Sequence, residues 1–463
     1  MKTPFICSQE SHKKFSPPHL KNETVPMAPY KNEHSPPHFI VNVWRGADKG
    51  LLQNLGFNTA FVILACWNTL YVWNMATRFH MNDFGKFYYS VVAFLNDQNM
   101  YGPNPATFIQ ISDYYSQHFW NLNPPHFHLF LLPLGFLSPI PALLLWSVAS
   151  FIAFCIGLYW ISHELKIEMT LWQKRLVPIG FLAFAGTGAH FITGQLSFFL
   201  FLLVTGAWVQ ARQGKWGKAG WYLGMAISIK PFFLIFIPYL LQKRRFRAIR
   251  NICILLLTTI VIGIGVFGID TYTDWIQRLI GVDWAWPPMN ASLLGLLARS
   301  LVENPSFAIM INAEAFSLLL WIFISLFLGG MTFFVTVHDS SPFSVDRAFA
   351  ILLITAVLVS PLGWIYYLFL PIGPMTALVV NWWQQQGQKS SPHSMIHLRF
   401  RNILLFAALP GFLIPLPLMT LFQPNALATL TIGSAYFWST FLIWMSLLTD
   451  CRLESHLVRR LDP

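Results

Sequence analysis

The stretch FSLLLWIFISLFLGGMTFFVTV, residues 316–337, contains no charged side chain and no proline. As a helix rising 1.5 Å per residue it reaches roughly 33 Å, enough to cross about 30 Å of hydrocarbon. Runs of the same character occupy Phe57–Ala76, Pro141–Ile161 and Asn251–Ile269. Backbone amides in lipid must find partners inside their own segment or in a closed barrel. Barrel strands read as short alternating segments. These runs do not alternate, so they are helices. The rest of the chain agrees: of 463 residues, 55% are hydrophobic and 11% charged, and the mean hydropathy is +0.51. A soluble domain carries about 25% charged residues. The fold class expected is all-α, a polytopic integral membrane protein with about 10–12 crossings.

The net charge of +11 does not point to nucleic acid. Lys and Arg fall in short clusters between apolar runs, the pattern that sorts loops to the cytoplasmic side. Residues 1–56 are basic, Lys243, Arg244, Arg245, Arg247 and Arg250 form the densest cluster, and residues 381–401 and the C-terminus are basic again. Residues 78–125 carry only Arg78 and Lys86, and residues 270–290 only Arg278 beside Asp270, Asp274 and Asp283. Both termini are therefore expected in the cytoplasm and these two loops outside. The expected location is the bacterial cytoplasmic (inner) membrane. Residues 1–45 are polar and repeat Ser16-Pro17-Pro18-His19 as Ser35-Pro36-Pro37-His38. Such a segment buries too little apolar surface to order itself. The division expected is a disordered cytoplasmic tail over 1–45, a transmembrane domain over 46–450 and a cytoplasmic tail over 451–463. Cys7, Cys66, Cys155, Cys253 and Cys451 show no metal-ligand spacing and no disulfide framework.

Two segments read as hairpins. Ala348–Trp383 is interrupted by Ser360-Pro361-Leu362-Gly363-Trp364, where proline removes a backbone donor. Ala219–Leu241 is interrupted by Lys230-Pro231 and is either a kinked span or a hairpin, with Arg212, Lys215 and Lys218 favouring the hairpin by charge. The pieces between 126 and 211 are too uneven to count. In the 78–125 loop, Phe84, Phe87, Tyr88, Val91, Val92 and Leu95 recur at helical spacing, which suits a helix lying in the membrane interface. Trp284, Trp286, Trp382 and Trp383 suit an interfacial aromatic belt.

Asp83 follows the first span by a few residues, where a carboxylate could deprotonate an acceptor hydroxyl beside a lipid headgroup. By position alone a solvated interfacial aspartate is the simpler reading. Lys230 lies in an apolar setting, Ala226 to Phe233, where a charge is by default functional. A snorkelling lysine at a hairpin tip fits as well. Arg299 is a second candidate cation, or simply interfacial.

Six pieces in order then match one family. They are Asp83-Phe84 with Tyr88-Tyr89 and Tyr101-Gly102; Asn123-Pro124-Pro125-His126-Phe127 with Pro133-Leu134; Gly194-Gln195-Leu196-Ser197; Ala219-Gly220 through Gly224 to Lys230-Pro231 and Arg244-Arg245; Asn290-Ala291-Ser292; and Ser360-Pro361 with Trp364. Over this span the chain resembles glycosyltransferase family 87, the polyprenyl-phosphate-mannose-dependent mannosyltransferases of the GT-C superfamily. The resemblance implies a many-helix membrane enzyme that moves a hexose, mannose, from a polyprenyl-phosphate-sugar donor to a lipid or glycan acceptor on the non-cytoplasmic side. It implies Asp83 as catalytic base and Lys230 near the donor phosphate. Tyr88, Tyr89, His126, Gln195, Asn290, Arg299, Trp364, Tyr366 and Tyr367 are the further residues expected to bind substrate. One departure stands out. After the late tryptophan the family often carries histidine, and this chain has Tyr366-Tyr367, so His126, His128 and His80 are candidates to take its place. No cofactor or metal is expected, since cationic side chains can serve a single phosphate. Direct displacement would invert the anomeric carbon. The alternative readings are a transporter or lipid flippase, whose helices also break near the midplane, and a non-catalytic polyprenyl-lipid-binding protein.

Overall fold

The computed structural model describes residues 49–78, 80–112, 115–385, 392–417 and 425–461. The expected tail over 1–45 and Asp113 lie outside the described residues. The described residues from Leu55 onward form one compact unit. The protein is a multi-pass membrane protein, all-α but for one two-stranded antiparallel hairpin, Phe108–Ser112 with Tyr115–His118.

Among the described residues, five stretches are long and apolar enough to cross a membrane: within Gln53–Leu95, Pro139–Leu165, Phe246–Phe267, Glu314–His338 and within Ala426–Asp450. A sixth is Leu171–Ala183 with Ala185–Thr193, bent by 56°. The sequence count of about 10–12 also took in shorter segments, which fold as helices of 14 or 16 residues walled in by other helices. Such helices need no lipid-facing length of their own.

In chain order, α1 (Lys49–Arg78) leads to α2 (Asn82–Leu95). Its stripe of Phe84, Phe87, Tyr88 and Val91 is buried against the rest of the protein. Two 3-10 turns, Pro125–Phe130 and Leu132–Phe136, cover that face; a Cβ on Gly135 would sit 2.5 Å from Val91. These turns occupy the 126–138 piece, where Pro124, Pro125 and Pro133 withhold donors from any longer helix. Next come α3 (Pro139–Leu165), α4 (Leu171–Ala183), α5 (Ala185–Thr193), α6 (Ser197–Arg212), α7 (Trp216–Ile229), α8 (Phe236–Gln242), α9 (Phe246–Phe267) and the amphipathic α10 (Ile269–Ile280). The chain closes with α11 (Leu293–Leu301), α12 (Glu314–His338), α13 (Ser344–Val359), α14 (Ile372–Gln385), α15 (Pro392–Leu413), α16 (Ala426–Leu430) and α17 (Ala435–Leu461). Residues 451–461, expected as a tail, continue α17.

Helix α13 is the central post, buried from Asp346 to Leu358. Helices α3, α9 and α12 instead expose Leu144, Leu257, Leu319 and Phe323, the apolar surface that lipid covers. At one face the buried charges pair. Arg347 meets Asp339 at 2.7 Å and Asp450 at 3.3 Å, Arg401 meets Asp450 at 2.9 Å, and Arg212 meets Asp346 at 3.0 Å. Losing one member would leave an uncompensated buried charge. Both expected hairpins form. Residues 214–218 and 244–247 border one depression, so α7 and α8 return to the face they started from. Helices α13 and α14 join through Ser360–Trp364 and a 3-10 turn, Ile365–Phe369. Both tips point to the face opposite the paired charges.

Candidate active site

At that second face, four interruptions of helical structure border one cavity of about 600 Å³. The first is the corner from α1 into α2. His80, Met81 and Asn82 take φ of 44°, 64° and 47°, a left-handed run that costs roughly 1–2 kcal/mol per residue. Strain of this kind gathers where function needs it, and here it sits against Asp83. Gly85 lets the corner close, since a Cβ there would lie 2.1 Å from the His80 carbonyl oxygen. The second interruption is Gly194-Gln195 between α5 and α6, with Gly194 at φ 63°. The third and fourth are Lys230-Pro231 and Ser360–Trp364.

Asp83 projects from the first turn of α2 into the cavity. Its Oδ1 pairs with Lys86 Nζ one helical turn on, and its Oδ2 accepts from the Gln195 amide. Lys86 Nζ also lies 5.6 Å from the Phe119 ring and 5.9 Å from the Trp284 ring, at cation–π range. Lys230 reaches the same space from the end of α7, within electrostatic range of both Asp83 and Lys86. Among the described residues its ammonium has no hydrogen bond or ion pair to the chain.

Three further polar atoms bordering the cavity are buried and unmatched: Gln195 Oε1, Asn123 Oδ1 and Trp284 Nε1. A buried group left without a partner costs about 1–3 kcal/mol, so three of them around one space suit a polar ligand. Asn123 is aimed deliberately. Its amide donates to Asn121 Oδ1 at 3.2 Å, while the Asn121 amide donates to Ser90 Oγ at 2.9 Å and to His128 Nε2 at 2.7 Å. With its nitrogen committed, Asn123 offers the cavity an acceptor. Trp284 and Trp364 stand nearly parallel, 6.2 Å apart, and with Tyr366 and Tyr367 make an aromatic wall.

Of the residues read from the sequence, Asp83, Lys230, Gln195, Trp364, Tyr366 and Tyr367 come together here. Tyr88, Tyr89, His126, Asn290 and Arg299 do not border the cavity, and four of them have polar atoms spent inside the protein. The Tyr88 hydroxyl donates to the Leu137 carbonyl at 2.8 Å, and Tyr89 packs against Tyr88. Asn290 donates to the carbonyls of Ala285 (2.8 Å) and Pro361 (2.9 Å) and accepts from the N–H groups of Ser292 and Gly363. It staples the Ser360–Trp364 tip. Arg299, fully buried, donates to Ser434 Oγ and the carbonyls of Pro287 and Asn290, holding the loop that carries Asn290. His126 Nε2 lies 2.7 Å from the Ser228 carbonyl and Nδ1 3.0 Å from the Tyr272 hydroxyl. Burial lowers its pKa, so the ring is neutral at pH 7. Nε2 must carry the proton to donate to a carbonyl, and Nδ1 then accepts from Tyr272. His126 thus steadies the end of α7 two residues before Lys230. His126, His128 and His80 do not border the cavity, whereas Tyr366 and Tyr367 do. Trp284, Trp286 and Trp382 are buried rather than belted in the interface; the Trp383 side chain lies outside the described residues.

The sequence reading passed over Lys86, Asn123 and Trp284. The spacing of Asp83 and Lys86, one turn apart on α2, was the signal available for Lys86. Beside the cavity lies an apolar groove of about 460 Å³, bordered by Phe127, Phe130, Trp146, Phe199, Leu203 and Ile229. Leu196 and Ile229, in its wall, are chain neighbours of Gln195 and Lys230. The site therefore joins a carboxylate, two ammonium groups, unmatched hydrogen-bonding atoms, aromatic rings and a lipid-like trough. No curated protein and no solved structure matches the chain. The model of glycosyltransferase family 87 matches residues 121–361, which takes in Gly194-Gln195 and Lys230-Pro231 and ends inside Ser360–Trp364, and the chain belongs to that family.

Proposed function

We propose that this glycosyltransferase moves a hexose, mannose by its family resemblance, from a polyprenyl-phosphate donor to a lipid or glycan hydroxyl. The observation that carries the reading is Asp83 held by Lys86 and Gln195 next to the unpaired ammonium of Lys230. Asp83 takes the acceptor proton as the acceptor oxygen bonds to the anomeric carbon. The bond from that carbon to the phosphate oxygen breaks, and polyprenyl phosphate leaves with the bonding pair. Lys230 meets the developing phosphate charge, the kind of fixed electrostatic aid that lowers such barriers most. Lys86, shared between carboxylate and cavity, adds a second positive charge, so the donor's single phosphate needs no metal. The apolar groove takes the first prenyl units, and the tryptophan wall stacks on the sugar. Attack opposite the leaving group inverts the anomeric carbon.

The basic clusters at the face away from the cavity support an outward-opening site with the N-terminus in the cytoplasm, in a bacterial cytoplasmic membrane. Membership of a transferase family sets the transporter and scaffold readings behind this one. The test is incubation of the purified protein with polyprenyl-phosphate-[14C]mannose and a membrane lipid extract in EDTA. Label should enter a product of inverted configuration. A retained configuration, a demand for added Mn²⁺ or Mg²⁺, or transfer only from a different sugar-phosphate lipid would each overturn the corresponding part.

A further inference from the structure

The face away from the cavity holds a feature that catalysis does not use. The corner between α6 and α7 and the corner between α8 and α9 have one geometry. The N–H groups of Gln213, Gly214 and Lys215 bond to the carbonyls of Val209, Ala211 and Gln210 at 3.1, 3.0 and 2.8 Å. Those of Lys243, Arg244 and Arg245 bond to Tyr239, Leu241 and Leu240 at 2.9, 3.0 and 2.8 Å. Lys215 (φ −83°, ψ 56°) and Arg245 (φ −86°, ψ 52°) precede α7 and α9 in the same conformation, and neither caps its helix with its side chain. The left-handed position is Gly214 in one corner and Arg244, at φ 53°, in the other. Glycine takes that position freely and arginine pays for it.

The two corners enclose a depression of about 620 Å³. Lys215, Lys218, Arg244, Arg245 and Arg247 border it, and no carboxylate does. Several acids of this face are committed elsewhere: Glu164 and Asp346 to Arg212, Asp339 to Arg347 and Asp450 to Arg347 and Arg401. Two helix N-termini, each equivalent to about half a positive charge, begin beside the same five cations. Like charges so arranged repel unless an anion sits among them. Phe246, 61% exposed, borders the depression too. It is also the first residue of α9, whose outer face exposes Ile254, Leu257 and Val261. The basic depression therefore opens where the lipid-covered surface begins, a setting that favours a headgroup over a soluble anion.

We propose that the paired corners seat the phosphate of an anionic phospholipid in the leaflet opposite the catalytic cavity. The seated phosphate lies between the first turns of α7 and α9, with its acyl chains along Phe246 and the outer face of α9. The proposal stands independently of the sugar and of Asp83. Binding of phosphatidylglycerol to the full-length protein in neutral detergent, followed by native mass spectrometry, tests it with Arg244→Gly and the double variant Arg244→Gly/Arg247→Gln. Phosphatidylcholine and inorganic pyrophosphate serve as the other probes. Two lost cations should weaken phosphatidylglycerol roughly thirtyfold, and phosphatidylcholine should bind weakly to all forms. Arg244→Gly should also raise the melting temperature in lipid-free detergent, because it relieves the left-handed arginine; a merely structural Arg244 would lower it. Undiminished phosphatidylglycerol binding by the double variant overturns the proposal. So does displacement of the lipid by pyrophosphate at equal phosphate concentration, which would assign the depression to a soluble anion.

Discussion

The α7–α8 and α13–α14 hairpins both break at a proline and both send their tips to the candidate cavity, yet they are secured in opposite ways. The Ser360–Trp364 tip is bound on several sides by Asn290, and Arg299 braces the loop behind it. Its contribution is shape: a tryptophan and two tyrosines in fixed positions. The Lys230 tip is steadied from behind, through the Ser228 carbonyl and His126, and among the described residues its ammonium has no hydrogen bond or ion pair. Its contribution is charge. An aromatic wall has to be rigid before the substrate arrives, whereas a cation meant for a ligand must not be satisfied beforehand.

Substitution at each tip should expose that difference. Lys230→Met should lower kcat by about 10²–10³, the usual scale for removing one electrostatic contact to a transition state, and leave the melting temperature unchanged or higher. A fall in melting temperature with intact turnover would make Lys230 structural. Asn290→Ala should do the reverse. It strands the Ala285 carbonyl and the N–H groups of Ser292 and Gly363 and leaves the Pro361 carbonyl with Ser292 Oγ alone, at a cost on the order of 3 kcal/mol, so thermal unfolding should move down by several degrees before activity is considered. His126→Phe should reduce kcat about tenfold through a loosened α7 end, with Tyr272→Phe giving a smaller loss. The two should not add, because both cut one chain of hydrogen bonds. Additive losses would separate them.

The smallest effect is on pH. Burial lowers His128 to about 4, below its unfolded value near 6.5. The ring is bound neutral, with Nε2 accepting from Asn121, and burial pushes His126 the same way. The His128 contribution is complete above pH 6.5 and is lost as pH falls toward about 4, by about 1 kcal/mol at pH 6, and His126 adds a loss of the same sign. Melting temperature should decline across that window and decline less in His128→Gln. A profile flat from pH 7 to 5 would contradict the assignment.

Much of this arrangement was legible in the sequence because chain-local chemistry writes it there. Proline in an apolar run announces a break, so both hairpins could be placed, and a lone lysine or aspartate beside such a run stands out. Residues that act at long range left no such mark. Gln195 meets Asp83 across 112 positions. Asn290 and His126 matched a family pattern and Arg299 stood out as a second cation, and only the packing distinguishes a residue that touches the cavity from one that braces it. The amphipathic stripe of α2 fits lipid and protein equally well, and the two 3-10 turns that cover it decide for protein. Trp284 could not be told from a belt tryptophan until its ring was found against Lys86.

The central claim is that Asp83 is the base of a sugar transfer in this cavity. The most direct measurement compares wild type with Asp83→Asn, both shown folded by size exclusion and melting temperature, in single-turnover transfer of labelled mannose from polyprenyl phosphate. The asparagine can still accept from Gln195, and it removes the proton acceptor together with the ion pair to Lys86. The account predicts transfer by the wild type and a loss of at least about 10²-fold in the variant, with donor binding retained. Equal transfer by the two proteins would contradict it and send the search for the base elsewhere in the cavity.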